Sequence, residues 1–206
     1  MFKLFFSPGT VALASHITLA ETGADYEAIR VDFAAGEQMK PDYLAINPKG
    51  RVPSLITDQG ILTETPAILL YLAQSYPEAN LAPLSDVFQL ARLQSFTSYL
   101  CSTVHVNHAH RRRGSRWATE ETSFEDMRRK VTENMADCFA LIQTEMFEGP
   151  WVMGNDYSVA DPYLFTVGRW LEGDDVDIKD YPKIAEHSAR MTERPAVQRA
   201  LAEQAG

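Results

Sequence analysis

Three short segments of the chain carry groups that could bind a thiol-containing peptide. In residues 6–16, FSPGTVALASH, a Phe-rich strand pattern runs through a glycine-containing turn into a helical pattern. The backbone N–H groups at such a helix start, with the Thr10 hydroxyl beside them, can lower the pKa of a nearby thiol. Val11 occupies the position where a reactive side chain is expected, and it supplies no acid, base or nucleophile.

The second segment, residues 47–55 (NPKGRVPSL), has a proline inside a pattern that otherwise predicts a strand. Pro53 cannot donate a hydrogen bond to a sheet ladder, so it belongs at an edge or a bend. If the Val52–Pro53 bond is cis, the chain turns sharply and leaves the Val52 N–H and C=O free to pair with an extended peptide. The alternative is an edge proline that only protects against aggregation.

The third segment is Glu64-Thr65-Pro66. Thr65 is predicted as the N-cap of a helix and Pro66 as its first residue. The free N–H groups of that helix start can bind a carboxylate, and Glu64 can hold an ammonium group. A γ-glutamyl head group carries both charges. The alternative is an ordinary capped helix beside a solvated glutamate.

The first 78 residues predict the α/β domain that positions these segments. A strand at 2–6, a helix at 12–22 ended by Gly23 and a strand at 26–32 predict a βαβ unit. Two further strands, 52–58 and 61–64, flank the Gln59-Gly60 turn and predict an antiparallel pair. A helix over 66–76, stopped by Pro77, completes a thioredoxin-like domain.

After the linker at 77–86 the sequence shows helical patterns and no convincing strand. We therefore predict an all-α domain over residues 86–206. Two Ser-x-x-Asp patterns, Ser123 with Asp126 and Ser158 with Asp161, are predicted to open helices as capping boxes.

Composition limits the classes of function. A formal net charge of -9 is a poor match for nucleic acid, because phosphate binding depends on many Lys and Arg contacts. The only two cysteines, Cys101 and Cys138, form no CxxC pair, which argues against dithiol redox chemistry. No stretch has the length and apolarity of a membrane span, and Ser-Pro-Gly interrupts the apolar N-terminus, so we expect a cytoplasmic protein without membrane partners.

Six segments taken in order resemble a bacterial glutathione S-transferase, closest to the beta class: FSPGTVALASH, VDFAAGEQ, NPKGRVPSL, LTETPAILLYLA, SVADPYLFTVGRW and MTERPAVQRAL. The resemblance covers nearly the whole chain. It implies a thioredoxin-like domain that binds glutathione as co-substrate. The all-helical domain is implied to hold a small hydrophobic or acidic electrophile and a homodimer interface.

The resemblance also implies roles for individual residues. The glutathione-binding residues that it implies are Arg51, Val52, Pro53, Glu64 and Thr65. Val52 would bind the cysteinyl backbone, after a cis-Pro53, and Glu64 with Thr65 would bind the γ-glutamyl end. The Ser158–Asp161 box would serve folding rather than catalysis.

Several positions depart from the beta-class pattern. Val11 stands where relatives have a cysteine, Ala12 where a serine often follows, and Phe6 where a tyrosine is common. The lysine that relatives use on the glycyl carboxylate is absent from its expected place, where Gln38 or Lys40 could substitute.

Thr10 is therefore the predicted group that stabilises a glutathione thiolate. The second predicted catalytic residue is His105, which aligns with a histidine that reaches the sulfur region from the helical domain in the beta class. The alternative for Thr10 is an ordinary turn threonine.

The three histidines of the segment from His105 to Arg113, HVNHAHRRR, could suggest a metal site. On one helix, however, His105 and His110 would lie about 140° apart, so no metal is expected. The alternative is a cationic patch at Arg111–Arg113 that favours an acidic electrophile or the carboxylates of glutathione. Cys101, one helical turn before His105, is a minor candidate for mixed-disulfide chemistry.

Two functions remain open at this point. In the first, the protein is an enzyme that positions glutathione and stabilises its thiolate rather than supplying its own nucleophile. In the second, the glutathione pocket persists without catalysis and the protein is a ligand binder. Val11-Ala12 favours the binder, and the intact NPKGRVP and Glu64-Thr65 segments favour glutathione recognition in both.

Overall fold

The N-terminal part of the chain forms the predicted α/β layer. The structure, a computed structural model, describes residues 1–205. Strands β1 (Phe2–Phe6), β2 (Tyr26–Arg30), β3 (Ser54–Ile56) and β4 (Ile61–Thr63) form one sheet in the order β2-β1-β3-β4. β1 runs parallel to β2, and the other two neighbouring pairs are antiparallel. The predicted βαβ unit and antiparallel pair are confirmed.

Three helices accompany this sheet: α1 (Ala12–Glu21), α2 (Pro41–Leu44) and α3 (Thr65–Ser75). Gly23 follows α1 with φ +71°, as the predicted end of that helix requires. Two predicted strands are shorter than expected. The strand at 26–32 ends at Arg30, and the strand at 52–58 starts only after the Val52–Pro53 bond and ends before the Thr57–Gly60 turn.

The rest of the described chain is helical, which confirms the predicted all-α part. Its helices are α4 (Val87–Tyr99), α5 (His105–Ala109), α6 (Glu121–Leu141), α7 (Ala160–Gly168), α8 (Pro182–Thr192) and α9 (Pro195–Ala205). Wider π-helical turns, Leu100–Val104 and Ile142–Met146, follow α4 and α6. The division of the chain at residues 78 and 86 stays a prediction.

The Ser158–Asp161 pattern forms a buried hydrogen-bonded box at the start of α7. The Asp161 carboxylate is fully buried and accepts from the Ser158 N–H at 2.7 Å and from the Val152 N–H at 2.8 Å. The Ala160 N–H donates to Ser158 Oγ at 3.3 Å, and His187 Nε2 lies 3.1 Å from Asp161 Oδ1. The carboxylate therefore joins α7, α8 and the loop before α7.

The same pattern at Ser123 and Asp126 does not start a helix, so that prediction is wrong. α6 begins at Glu121, two residues before Ser123, and its N-cap is Glu120. Asp126 is exposed and pairs with Arg129 one turn later on the same helix. Without buried donors around it, the carboxylate has no reason to fold back on the helix start.

Helix α1 lies between the sheet and the helical domain. On one face Val11 and Ala14 share a hydrophobic core with residues of α4, α6 and α7. On another face Leu13 and Ile17 pack with Phe165 and Val197, from α7 and α9. The first turn of α1 is therefore fixed by both domains.

Polar contacts reinforce this packing. Glu203 on α9 accepts a hydrogen bond from the Tyr26 hydroxyl at 2.8 Å and lies 2.7 Å from the buried His16 ring. Arg194 donates two hydrogen bonds to the Glu21 carboxylate, at 2.6 and 3.0 Å. Helix α9 and the residue that precedes it are thereby attached to α1 and β2.

Among residues 1–205, no helix combines the length and the apolar character needed to cross a bilayer.

Replacing Asp161 with alanine should lower the free energy of unfolding by about 3 kcal/mol, because two buried N–H groups lose their acceptor. The matched control is Asp126→Ala, which removes an exposed carboxylate and should change stability by less than about 0.5 kcal/mol. Urea unfolding of the two variants measures both values. Equal losses in the two variants would contradict the buried-box account.

Candidate functional site

The main cavity lies between the start of α1, the loop before β3 and the end of α5. Its volume is about 520 Å³. The α/β domain contributes Thr10, Val11, Gln38, Lys49, Arg51 and Val52 to its wall. The helical domain contributes His105, His108, Arg112, Arg113, Arg116 and Trp170. A ligand in this cavity would contact both domains at once.

A second cavity of about 140 Å³ adjoins the first. The residues that line both cavities are Val11, Arg51, Val52, His105, Ala109 and Arg116. The second cavity extends to the start of α3 and adds Pro53, Glu64, Thr65 and Cys101. Every predicted site residue therefore lines one or both of these adjoining cavities, although their predicted roles stay predictions.

The turn before α1 holds Thr10 by local hydrogen bonds. The Thr10 hydroxyl donates to the Ser7 carbonyl at 2.6 Å, and its oxygen accepts weakly from the Ala12 N–H at 3.4 Å. The Trp170 indole N–H donates to the Gly9 carbonyl at 3.2 Å. The turn is thus fastened to α1 on one side and to the helical domain on the other.

Val11 is the N-cap of α1 and its side chain is only 7% exposed. It lines both cavities, so its methyl groups form an apolar wall at the helix start. Within residues 1–205 the Val11 N–H has no hydrogen-bond acceptor. This free N–H adds to the positive end of the helix dipole at the point where the two cavities join.

The loop before β3 presents free backbone groups. The Val52–Pro53 peptide bond is cis, and neither backbone group of Val52 forms a hydrogen bond with any of the described residues. The preceding carbonyl, that of Arg51, accepts from the Tyr43 hydroxyl at 2.6 Å and from the Asn47 amide at 2.7 Å. Local side chains therefore fix the loop while the Val52 N–H and C=O stay available.

The start of α3 differs by one residue from the prediction. The N-cap is Glu64, with φ 72° and ψ 119°, and Thr65 is the first helical residue rather than the cap. No side chain among residues 1–205 caps this helix, so its first N–H groups are left for another acceptor. The exposed Glu64 carboxylate lies 2.5 Å from Lys49 Nζ, which also donates to Thr63 Oγ1 at 2.7 Å.

His105 is an uncharged group at neutral pH. Burial lowers its pKa from 6.5 to about 4, and the nearby His108, Arg113, Arg116 and Arg51 lower it further. The ring packs on Trp170 with centroids 5.0 Å apart. His105 can therefore donate one N–H to a ligand, but it is a weak proton acceptor and carries no positive charge.

The other two histidines of the segment have partners of their own. His108 Nδ1 lies 2.7 Å from Oδ2 of the buried Asp174, and the ring stacks on Trp170 at 4.3 Å. His110 packs on Trp117 at 4.4 Å. No group of three or more metal-ligating side chains occurs in residues 1–205.

The cationic patch is arranged differently from the predicted Arg111–Arg113 cluster. Arg111 pairs with Asp175 and does not line the main cavity, whereas Arg112, Arg113 and Arg116 do. Sequence reasoning missed Arg116, although Arg113 and Arg116 are three residues apart and share the turn after α5. It also missed Trp170, which lies in the recognised PYLFTVGRW segment.

Gln38 and Lys40, the two candidates for binding the glycyl carboxylate, differ in their position relative to the main cavity. Gln38 lines the main cavity, and its buried Oε1 atom has no hydrogen-bond partner among the described residues. Lys40 is exposed and lies outside the cavity wall.

Cys101 opens into the second cavity together with His105. Burial raises the pKa of its thiol, so the group is protonated at neutral pH and is a poor nucleophile. Cys138 is buried in the core.

Two family profiles match the two parts of the chain that contribute to this site. The family profile "Glutathione S-transferase, N-terminal domain" matches residues 1–74, and "Glutathione S-transferase, C-terminal domain" matches residues 110–204. Glutathione S-transferase GstA of Escherichia coli O157:H7 is 34% identical over 202 residues, which span 97% of this chain and 96% of that protein.

Two solved structures are similar over 98% of this chain and 98% of their own. A glutathione transferase homologue from Sulfitobacter, solved with bound glutathione, has 49% identity and a TM-score of 0.96. The beta-class glutathione S-transferase of Sphingomonas chungbukensis has 34% identity and a TM-score of 0.86.

The depressed pKa of His105 should be visible in the pH dependence of stability. Because the folded pKa is about 4 and the ordinary value is 6.5, the unfolded chain binds more protons between these values. The free energy of unfolding therefore rises with pH across this window and falls as the pH drops through it. From pH 7 to pH 4.5 the wild type should lose roughly 2 kcal/mol more than His105→Phe, which keeps the ring packing.

Urea unfolding at both pH values measures this difference, and NMR titration of the His105 ring gives its pKa directly. Parallel pH dependence of the two proteins would contradict the burial argument.

Proposed function

Since the chain belongs to the glutathione S-transferase family, we propose that it binds glutathione across the two adjoining cavities and transfers the glutathione sulfur to a small electrophile. The observation that carries this proposal is the convergence of three sets of unpaired backbone groups on one space. These are the start of α1, the Val52 N–H and C=O, and the start of α3.

Each part of glutathione has a counterpart in this space. The γ-glutamyl carboxylate fits the uncapped start of α3 at Thr65, and the γ-glutamyl ammonium fits the Glu64 carboxylate beside it. The cysteinyl residue pairs with the Val52 backbone as an added strand. The glycyl carboxylate then extends into the main cavity towards Lys49 and Gln38.

In this pose the thiol lies at the start of α1. The positive end of the helix dipole and the free Val11 N–H stabilise the thiolate, and the apolar Val11 wall excludes water from it. The uncharged His105 ring can donate one further hydrogen bond from the helical domain. The thiol proton leaves to water, because a histidine with a pKa of about 4 is a weak acceptor.

Thr10 supplies the last donor in this proposal. Its hydroxyl donates to the Ser7 carbonyl in the described structure, so the O–H must turn away from that carbonyl to donate to sulfur instead. The thiolate then attacks the electrophile, a C–S bond forms, and the leaving group departs with its electron pair. The protein contributes orientation and electrostatic stabilisation, and no side chain forms a covalent intermediate.

The second candidate function is a glutathione-binding protein without catalysis. Two observations favour it: Val11 brings no reactive group to the helix start, and the Thr10 hydroxyl already has an internal acceptor. The expected homodimer and the cytoplasmic location stay predictions under both functions.

Replacing Thr10 with valine should lower kcat/KM for conjugation by about tenfold, because the thiolate loses one hydrogen-bond donor. The matched control is Thr10→Ser, which keeps the hydroxyl and should stay within about twofold of the wild type. Steady-state kinetics of both variants, with glutathione affinity measured by calorimetry, separates catalysis from binding. A Thr10→Val variant with full kcat/KM would remove Thr10 from the mechanism.

Replacing Val11 with cysteine should place a protein thiol against the sulfur of bound glutathione. The helix start should lower the pKa of that thiol, and its thiolate should attack oxidised glutathione, forming a mixed disulfide and releasing one glutathione thiolate. Mass spectrometry detects the adduct, and a Cys101→Ser background assigns it to position 11. Absence of the adduct, with glutathione binding retained, would show that the ligand sulfur lies elsewhere.

A further inference from the structure

Three arginines of the helical domain line the main cavity from one side. Arg112, Arg113 and Arg116 follow α5, and none of them forms an ion pair or donates a side-chain hydrogen bond within residues 1–205. Neighbouring arginines do have acidic partners: Arg111 pairs with Asp175, and Arg128 with Glu121. Among the arginines of residues 111–116, those without an acidic partner are therefore the ones that line the main cavity.

These groups are also close enough to influence one another. Arg113 is half-buried, and burial lowers the pKa of its guanidinium, with the charge of Arg51 adding to the effect. Burial, Arg113 and Arg51 likewise lower the pKa of Arg116. Like charges gathered in a partly buried cavity repel each other unless an anion joins them. These positive charges are gathered in one place in a chain whose net charge is -9.

Glutathione alone does not account for all of these charges. Its γ-glutamyl carboxylate is assigned to the start of α3, in the second cavity. Its glycyl carboxylate has Lys49 and Gln38 on the α/β side of the main cavity. The arginines that follow α5 lie on the opposite, helical-domain side, where a second substrate must approach the sulfur. In this pose Arg112 and Arg113 have no glutathione carboxylate beside them, and Arg116 lies where the two cavities adjoin, because it lines both.

The same side of the space has flat apolar surfaces. Trp117, which is 46% exposed, lines the second cavity together with Arg116. Trp170 lines the main cavity, but only 8% of it is exposed and its ring already stacks on His108. An aromatic ring can stack on such surfaces, and a guanidinium can bind a carboxylate with two parallel hydrogen bonds. Together they suit a flat molecule that carries an acid group.

We propose that Arg113 and Arg116 bind a carboxylate of the electrophile, so that the second substrate is an aromatic or conjugated acid. This inference rests on the proposed glutathione transferase function, because the electrophile must lie beside the glutathione sulfur. Arg112, which is exposed, strengthens the positive field at the cavity.

A matched pair of electrophiles tests the proposal: 4-chloro-3,5-dinitrobenzoate and its methyl ester. With either compound the thiolate forms a C–S bond, the C–Cl bond breaks, chloride leaves with the electron pair, and the thiol proton goes to water. The acid carries a negative carboxylate at neutral pH, whereas the methyl ester is uncharged. The ratio of their kcat/KM values, acid over ester, is the quantity to compare between proteins, since intrinsic reactivity cancels in that comparison.

In Arg116→Gln and Arg113→Gln the acid-to-ester ratio should fall by about tenfold, and Arg113→Lys should recover part of it. The control is Arg92→Gln, which removes an exposed arginine that pairs with Glu148 outside both cavities and should leave the ratio unchanged. An unchanged ratio in both cavity variants would overturn the proposal. A loss of glutathione affinity in place of the ratio change would also overturn it, and would assign the arginines to a carboxylate of glutathione.

If the wild type conjugates neither compound, that result counts against the proposed function. A binding measurement then still tests the anion site. Unreactive 3,5-dinitrobenzoate and its methyl ester can be titrated against the fluorescence of Trp117 and Trp170 in the glutathione-loaded protein. Preferential binding of the acid, reduced about tenfold in Arg116→Gln, supports the anion site. Equal binding of acid and ester would contradict it.

Discussion

The burial of helix α1 between the two parts of the chain is the constraint on which the site depends. Eight of its ten residues are buried, from Ala12 to Leu19. One face belongs to the core with α4, α6 and α7, another packs on α7 and α9, and Trp170 holds the turn in front of it. The N–H groups at the helix start are therefore directed into a cavity whose opposite wall is the helical domain. A shift of either domain would change the distance across that cavity.

The charges around the cavity follow from this arrangement. The chain is strongly acidic as a whole, yet Lys49 and Arg51 on one side face Arg113 and Arg116 on the other. This field favours an anion, including a thiolate, in the space between them. It also explains why His105 is uncharged, since a protonated ring there would be buried beside several cations. A cysteine is not the only means of stabilising sulfur in such a place.

Local sequence signals predicted the fold well where the interactions themselves are local. Gly23 ends α1 because the position needs a positive φ, and Pro77 lies just beyond the end of α3. Two identical Ser-x-x-Asp patterns had different outcomes. At Ser158 the Asp161 carboxylate gains donors from Val152, in the preceding loop, and from His187 on α8, whereas Asp126 is exposed and pairs only with Arg129 on its own helix. That difference is tertiary and cannot be read from the pattern.

The candidate site, too, could be predicted from the sequence only where its features are local. The segments that place backbone groups, around Val11, Val52 and Thr65, were predictable because turns, prolines and helix starts have local signatures. The choice among neighbouring arginines was not, because Arg111 is held away from the cavity by Asp175, a residue far along the chain. The internal hydrogen bond of Thr10 and the depressed pKa of His105 likewise depend on packing that no single segment encodes.

The central claim is that this site ionises a bound thiol without a cysteine at position 11. Ultraviolet difference titration of the wild-type protein with glutathione across pH measures it directly, through the absorbance band of the thiolate. The account predicts that bound glutathione is substantially ionised at neutral pH, well below the pH at which the free tripeptide ionises. Tight binding with the sulfur still protonated would contradict it, and would identify a glutathione-binding pocket that has lost its chemistry.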